Sequence, residues 1–443
     1  MCEEVLRRLL QGGASDAKVV ARTGQDLSVR VRLGETELVE EAGTRSVSVR
    51  AYKGQRVATS STNDLTPEGL SRLISDALEL ADLSQEDPFA GLPDPSELCA
   101  PDKVQDLGLY DALCGDVGAG EAVERARRCE AAARGYDPRI TNSEGASFGR
   151  TTGGYAMATS GGFRGGNLGS YASLSVQPVA ADEGGRNRTA SYWTARRRLS
   201  ALEDAEAVGR EAARRTVALL GARKVPTQEA PVVFEADAAR SLLGLFAGCV
   251  TGDAIYRRSS FLVGRLDEVV ASPLVTLVDD PLLPGGPGSR AFDGDGLPSR
   301  RNVVVERGAL KTYLLDSYGA RKLGLKSTGS SASVTGQGAG TSNFFLEKGA
   351  ITREALLADT PRGLYVTGMM GFGFNPVTGD FSRGAHGFWI EGGALAYPVS
   401  EVTISLNFKD LLQAIDAVAD DLDLKSGVAS PTFRVERMTI AGS

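Results

Sequence analysis

The 443 residues contain one histidine, His386, and that count limits the chemistry open to the chain. A zinc site built on two or three imidazoles cannot be assembled from it. His386 is left with three roles: general base, donor to a peptide carbonyl, or a hydrogen-bonded place in the glycine-rich run Phe381-Ser-Arg383-Gly-Ala-His386-Gly-Phe388-Trp389. A serine nucleophile is the first catalytic reading to test. Gly145-Ala-Ser147-Phe-Gly149 fits GxSxG, and Ser147, Asp380 and His386 follow the chain order of an α/β-hydrolase triad. That motif needs a helix directly after the serine, whereas residues 150–162 are rich in Gly and Thr without a helical stripe. With 54 glycines in the chain a chance match is easy.

The other candidate sites are weaker. Asp279-Asp280, Asp293-Gly-Asp295 and Asp420, Asp421 and Asp423 are oxygen-only clusters that would suit calcium or magnesium, but none has EF-hand spacing, so solvated turns are expected. Gly336-Gln-Gly338-Ala-Gly340 has neither a strand before it nor a helix after it, and GxxxxGK[ST] is absent; a sharp turn is expected, not a phosphate cradle. The basic runs at 196–198, 257–258 and 300–301 are short. Lys plus Arg total 49 against 56 Asp plus Glu, a net charge of −7, which argues against nucleic acid as a partner. Five scattered cysteines without a CxxC pair read as reduced thiols. No apolar h-region opens the chain and no apolar run is long enough to span a bilayer, so a soluble cytoplasmic protein with no membrane partner is expected.

The elements that must position these residues follow an α+β pattern. Cys2, Val5, Leu6, Leu9 and Leu10 recur at helical spacing before Gly12-Gly13. Leu27, Val29, Val31 and Leu33 alternate as one strand, and Val47, Val49 and Ala51 as another, ahead of a turn at Lys53-Gly54. Thr66 and Pro67 open a second helix. Prolines mark an extended connector at 84–101, and a helix over 120–134 follows it. Residues 139–200 read as a meander of exposed strands, and a helix near 202–220 closes that half. The expected division is an N-terminal helix and antiparallel-sheet domain, 1–222, and a strand-rich C-terminal α+β domain, 227–443. In the second, a strand at 231–234 and an apolar helix at 238–250 precede strands at 303–306, 310–315, 364–367, 387–390, 394–398 and 401–406, a helix at 409–419 and a last strand at 432–440.

Several segments are long and specific. Ser84-Gln-Glu-Asp-Pro88-Phe-Ala-Gly91-Leu, Asn142-Ser-Glu-Gly-Ala-Ser147, Gly252-Asp-Ala-Ile-Tyr256-Arg-Arg-Ser-Ser-Phe261-Leu, Asp316-Ser-Tyr-Gly-Ala-Arg-Lys-Leu-Gly-Leu-Lys-Ser-Thr328-Gly and Gly373-Phe-Asn-Pro-Val-Thr-Gly-Asp-Phe-Ser-Arg-Gly-Ala-His386-Gly resemble the TldD/PmbA family. The resemblance is to its PmbA (TldE) branch, historically called modulator of DNA gyrase, and spans nearly the whole chain.

It implies a subunit of a TldD–TldE heterodimer, a zinc metallopeptidase that cleaves unfolded or leader peptides. TldD-type subunits carry HExxxH on a helix, plus a later cysteine, as zinc ligands. The corresponding helix here, about 237–250, contains no histidine and no glutamate, and no cysteine follows Cys249. Without imidazoles and a base there is neither metal nor activated water. The resemblance therefore implies a chain with no catalytic residue, metal ligand or cofactor of its own, its zinc expected in the HExxxH partner. Its role would be to shape the substrate cleft and grip an extended peptide. Residues 252–261 and 371–387 are the expected wall, with Tyr256, Arg257, Asn375, Arg383 and His386 as its polar contacts. Two alternatives stand beside this: a metal-independent hydrolase using Ser147 and His386, and a non-enzymatic homodimeric peptide-binding scaffold.

Overall fold

The structure, a computed structural model, describes residues 1–442. Its N-terminal half is built on one seven-stranded antiparallel sheet of β1 (Asp16–Arg32), β2 (Glu35–Lys53), β3 (Arg56–Thr62), β4 (Ile140–Thr159), β5 (Arg164–Ala181), β6 (Asn187–Thr189) and β7 (Tyr192–Arg196). The order is β3-β2-β1-β4-β5, and β6 and β7 share the outer edge of β5. Helices α1 (Cys2–Gln11) and α2 (Pro67–Leu83) cover one end of a face through Val5, Leu6, Leu9, Leu73, Ile74 and Ala77. Thr66 caps α2 by accepting from Gly69 N at 3.1 Å, as its sequence predicts. Beyond a short α3 (Ala112–Asp116), helices α4 (Ala119–Arg134) and α5 (Ala205–Ala218) pack on Leu27, Val29, Val31, Phe148 and Leu174.

Residues 139–200 thus differ from the exposed meander expected of them. β4 and β5 are long central strands, and Phe148, Ala172 and Leu174 are fully buried. Their many glycines mask an alternation that a less interrupted strand would show. Leu33 leaves the strand pattern too, turning at positive φ (52°) between β1 and β2.

The C-terminal half holds two sheets. One is β8 (Gln228–Phe234), β13 (Arg362–Met370), β14 (Asp380–Glu391), β15 (Ala394–Asn407), β16 (Ile415–Val418) and β18 (Phe433–Ala441). The order is β15-β14-β13-β8-β18, and β15 also pairs with β18 (Ile404↔Ile440), which closes five strands into a small barrel. Its interior includes Phe234, Val366, Phe381, Ala385 and Trp389. The other sheet, ordered β11-β10-β9-β12-β17, comprises β9 (Leu277–Asp279), β10 (Asn302–Glu306), β11 (Ala309–Leu310), β12 (Phe344–Leu346) and β17 (Val428–Ala429). Helix α6 (Ala236–Cys249) lies between them, burying Leu242, Leu243 and Phe246. Short helices α7 (Gly252–Tyr256), α8 (Ser317–Leu323), α9 (Arg353–Ala358) and α10 (Phe408–Gln413) complete the fold. The architecture is α+β, as the sequence predicts. Three expectations are corrected: 401–406 continues the strand from Ala394, α10 stops at Gln413 and gives way to β16, and the strand at 310 ends at once.

The carboxylate clusters are not all solvated turns. Asp279 and Asp293 are buried, and they accept from the backbone N–H groups of Ser342 (2.6 Å) and Ser331 (3.0 Å). They serve as internal caps for irregular loops whose donors have no sheet partner. Gly338 takes φ of +120° and donates its N–H to Asp316 at 2.9 Å, which is the sharp turn expected of that run.

The proline connector is clamped to the second half. Arg321 of α8 donates to the carbonyls of Phe89 (2.8 Å), Gly91 (2.9 Å) and Leu92 (3.4 Å). Tyr318 donates to Asp87 at 2.6 Å. Among the described residues no helix is long and apolar enough to cross a membrane.

Candidate functional site

His386 sits mid-strand in β14. Alternation puts Phe381, Ala385 and Trp389 inside the barrel, and His386 and Phe388 outside it. Opposite His386, across a bulge in β13, is Gly368. A Cβ there would lie 2.4 Å from the imidazole Cε1, so only glycine leaves room for the ring. The imidazole faces a cavity of about 630 Å³ between the two halves of the chain, which Glu235, Tyr365, Arg215 and Arg353 also line.

Glu235 is the residue that α6 presents at its N-cap. Its carboxylate meets Arg215 of α5 at 3.1 Å, an ion pair across the two halves. Burial raises the Glu235 pKa while Arg215 opposes the shift, and burial with the Glu235 charge raises Tyr365. Burial alone lowers His386, which favours the neutral imidazole. Among the described residues neither ring nitrogen has a hydrogen-bond partner, so the imidazole is free to accept from or donate to a bound group.

The triad is not assembled. Ser147 is an interior residue of β4, between Arg30 on β1 and Ser175 on β5, with no elbow and no following helix. Asp380 is six residues from His386 along one strand, about 20 Å at the rise of an extended chain. Its carboxylate is engaged by Thr378 Oγ1 (2.6 Å) and Asn407 Nδ2 (3.3 Å).

The five expected cleft residues fall in separate places. Tyr256 packs edge-on to Tyr318 at 6.0 Å, and the Lys322 ammonium lies 5.2 Å from the Tyr318 ring and 4.6 Å from that of Phe89. Arg257 is exposed, its guanidinium 5.7 Å from the Tyr256 ring. Asn375 turns its own loop, accepting from Val377 N at 2.9 Å and Thr378 N at 3.4 Å. Segments 252–261 and 371–387 do meet, through Phe261 N donating to Pro376 O at 2.8 Å. Arg383 shares the barrel-side face of β14 with Phe381 and Ala385, opposite to His386, and its Nε is buried without a partner. Of the five, Arg383 and His386 lie on opposite faces of β14, because successive strand residues point to opposite faces.

Reading along the sequence missed Glu235, Tyr365 and Arg215. The signal for Tyr365 was available: it alternates with Leu364 and Val366, which are fully buried. Only the fold brings Arg215 to Glu235.

Zinc ligation can be tested on α6 directly. Its less buried residues include Asp237, Arg240, Ser241, Gly244 and Gly248, of which only Asp237 is a possible zinc ligand, and its carboxylate lies 3.7 Å from Arg240 Nε. Among the described residues no group of three or more His, Cys, Asp or Glu side chains is placed to hold a metal. The residues present do not fit a zinc centre.

The chain matches three successive family models: PmbA/TldA metallopeptidase domain 1 over residues 17–81, the central domain over 113–220 and the C-terminal domain over 227–442. It is 37% identical over 434 residues to the metalloprotease PmbA of Escherichia coli O157:H7, covering 98% of this chain and 94% of that one. This chain belongs to the PmbA/TldD metallopeptidase family, in its PmbA branch. A PmbA homologue from Haemophilus influenzae is 36% identical, with 98% and 93% coverage. In structure it is similar to a Bacteroides thetaiotaomicron protein solved under the name of a modulator of DNA gyrase, with a TM-score of 0.93 at 28% identity and coverage of 100% and 98%. TldE from Thermococcus kodakarensis shares the fold at a TM-score of 0.86 and 23% identity, with 99% of each chain covered. The first two PmbA family segments, on either side of the connector, contribute to one continuous sheet, since β1 pairs with both β2 and β4.

Proposed function

We propose that this chain is the metal-free subunit of a two-chain zinc peptidase, completing a cleft in which an unfolded or leader peptide is held in extended form. The observation that carries the reading is helix α6. In a family of metallopeptidases, the helix expected to bear HExxxH here contains no histidine and no glutamate, and its one carboxylate, Asp237, lies beside Arg240 at 3.7 Å. The zinc, the activated water and the late cysteine are then supplied by a TldD-like partner. A TldD homologue from Haemophilus influenzae is 28% identical to this chain over 253 residues, which supports partners of related fold.

Division of labour also suits the surface. Phe372 is 98% exposed, and Met370 and Val377 beside it are more than half exposed. In this reading the partner or the peptide covers them. Tyr256, Arg257 and Asn375 would contact substrate from this side, and His386 from its own cavity. Work in a reducing cytoplasm fits five free cysteines, of which Cys129 and Cys249 are held at about 12 by burial and so are inert. Residues 1–222 and 227–443 would act as two domains, with the Glu235–Arg215 pair between them.

Affinity capture of this chain from its own host, with the intact mass of the complex, tests the reading. A one-to-one complex with an HExxxH protein is expected. Recovery of only this chain, as monomer or homodimer, would overturn it.

A further inference from the structure

A second and larger cavity, about 950 Å³, lies away from His386 and α6, between the first sheet and residues 104–110. Four arginines line it: Arg22, Arg45, Arg198 and Arg290. In a chain of net charge −7 that is an unusual concentration of one sign. Among the described residues none of the four makes an ion pair or donates a side-chain hydrogen bond, and Arg290 Nε and Nη2 are buried without partners. The one acid on the wall, Asp106, is occupied by its own turn, accepting from Gly108 N at 2.9 Å. Asp279 and Asp293, the acids whose charge reaches Arg290, are committed to the Ser342 and Ser331 amides.

Guanidinium groups free of ion pairs, with Arg22 5.9 Å from the Tyr155 ring, around a concave, partly apolar wall are complementary to carboxylates. The rest of the wall is aromatic and aliphatic, with Tyr155 and Phe292 in edge contact at 6.3 Å and Leu168 exposed. Arg22 and Arg45 stand on neighbouring strands, Arg45 opposite Thr23, while Arg198 and Arg290 come from other segments. Donors drawn from four separate segments of the chain suit several carboxylates on one extended peptide. A single phosphate would be gripped by donors converging at one point, typically backbone N–H groups at a helix N-terminus.

We propose that this groove binds an acidic, extended peptide segment in which carboxylates alternate with apolar side chains. The inference deepens and rests on the reading of this chain as a peptide-holding subunit, to which it adds a charge preference. Calorimetry on the isolated full chain tests it. The probes are a short unstructured peptide of alternating Glu and Leu, its counterpart with Gln for every Glu, inorganic phosphate and ATP. The expected result is binding of the Glu peptide, weakened about tenfold or more by the Gln exchange and also by Arg22→Ala with Arg45→Ala. Both of those arginines are exposed, so the double variant should keep the parent's melting temperature. Failure of the Glu peptide to bind, equal binding of both peptides, insensitivity to the double substitution, or binding of phosphate and ATP alone would each overturn it. The peptidase reading fails on a different result, the absence of an HExxxH partner in the captured complex.

Discussion

The His386 imidazole lies over Gly368 across the β13–β14 bulge, where a methyl group would come within 2.4 Å of its Cε1. The ring is seated with Cε1 and Nε2 against the Gly368 backbone and neither nitrogen hydrogen-bonded among the described residues, so strand geometry fixes its direction in place of a carboxylate partner. Gly368→Ala should expel the ring or shift the strand, at about 1–3 kcal/mol of stability. Denaturant unfolding measures the loss, and the lone histidine gives one imidazole signal whose movement reports the ring. An unchanged signal and unchanged stability would contradict the packing described.

Titration of that signal carries a further prediction. Burial lowers His386, so its folded-state pKa should lie below about 6.5. Between the folded value and 6.5 the unfolded chain binds more protons, so stability should fall as pH drops through that window and be fully present above it. Glu235, raised by burial, contributes with the opposite sign: its part is lost as pH rises from about 4.5 through the folded value. His386→Gln should abolish the upper dependence and leave the lower. A titration midpoint at or above 6.5 would contradict the burial argument.

The Arg321 clamp joins two of the segments that carry the family resemblance, Ser84 to Leu92 and Asp316 to Gly329. Arg321→Ala removes three charge-assisted hydrogen bonds to the connector and should cost about 2–4 kcal/mol. Tyr318→Phe, which removes the bond to Asp87, should cost about 1 kcal/mol. Limited proteolysis between residues 84 and 101 should accelerate in the first variant much more than in the second. Equal cleavage in both would place the anchor elsewhere.

Much of the fold was legible because burial repeats at the period of its elements. Val5, Leu6 and Leu9 mark α1, and Leu27, Val29 and Val31 mark β1. The central strands β4 and β5 were harder, since Gly153, Gly154, Gly165 and Gly166 carry no side chain to alternate. Barrel closure through Ile404 and Ile440 is a long-range pairing that no local pattern encodes. For the candidate site, position along the chain gave His386 and Arg383 alike, but only strand alternation separates their two faces. The four arginines of the large groove lie far apart in sequence, and only Arg198 fell within a basic run that sequence reading singled out.

Breaking the Glu235–Arg215 pair should be felt more than its surface counterparts. Glu235→Ala leaves a partly buried guanidinium that keeps only Glu211, and about 2–3 kcal/mol should be lost. Glu4→Ala, which opens the exposed pair to Arg7, should leave the unfolding midpoint close to the parent's. Parallel denaturation curves decide the comparison, and equal losses would contradict the burial assigned to the inter-half pair.

Phe372 gives the interface its own check. Phe372→Ser should leave the stability of the isolated chain within about 0.5 kcal/mol, because the ring touches so little. In the two-chain reading, complex formation or peptide capture should weaken about tenfold or more. A variant that loses stability but keeps full partner and peptide binding would contradict that role.

The most direct measurement is reconstitution from separately purified subunits, following zinc content and cleavage of an unfolded peptide together. The account predicts that this chain alone binds no stoichiometric zinc and cleaves nothing, including in its Ser147→Ala form. Addition of an HExxxH partner should produce cleavage that a chelator abolishes, with the zinc accompanying the partner. Chelator-resistant cleavage by this chain alone, lost on substitution of Ser147 or His386, would contradict it.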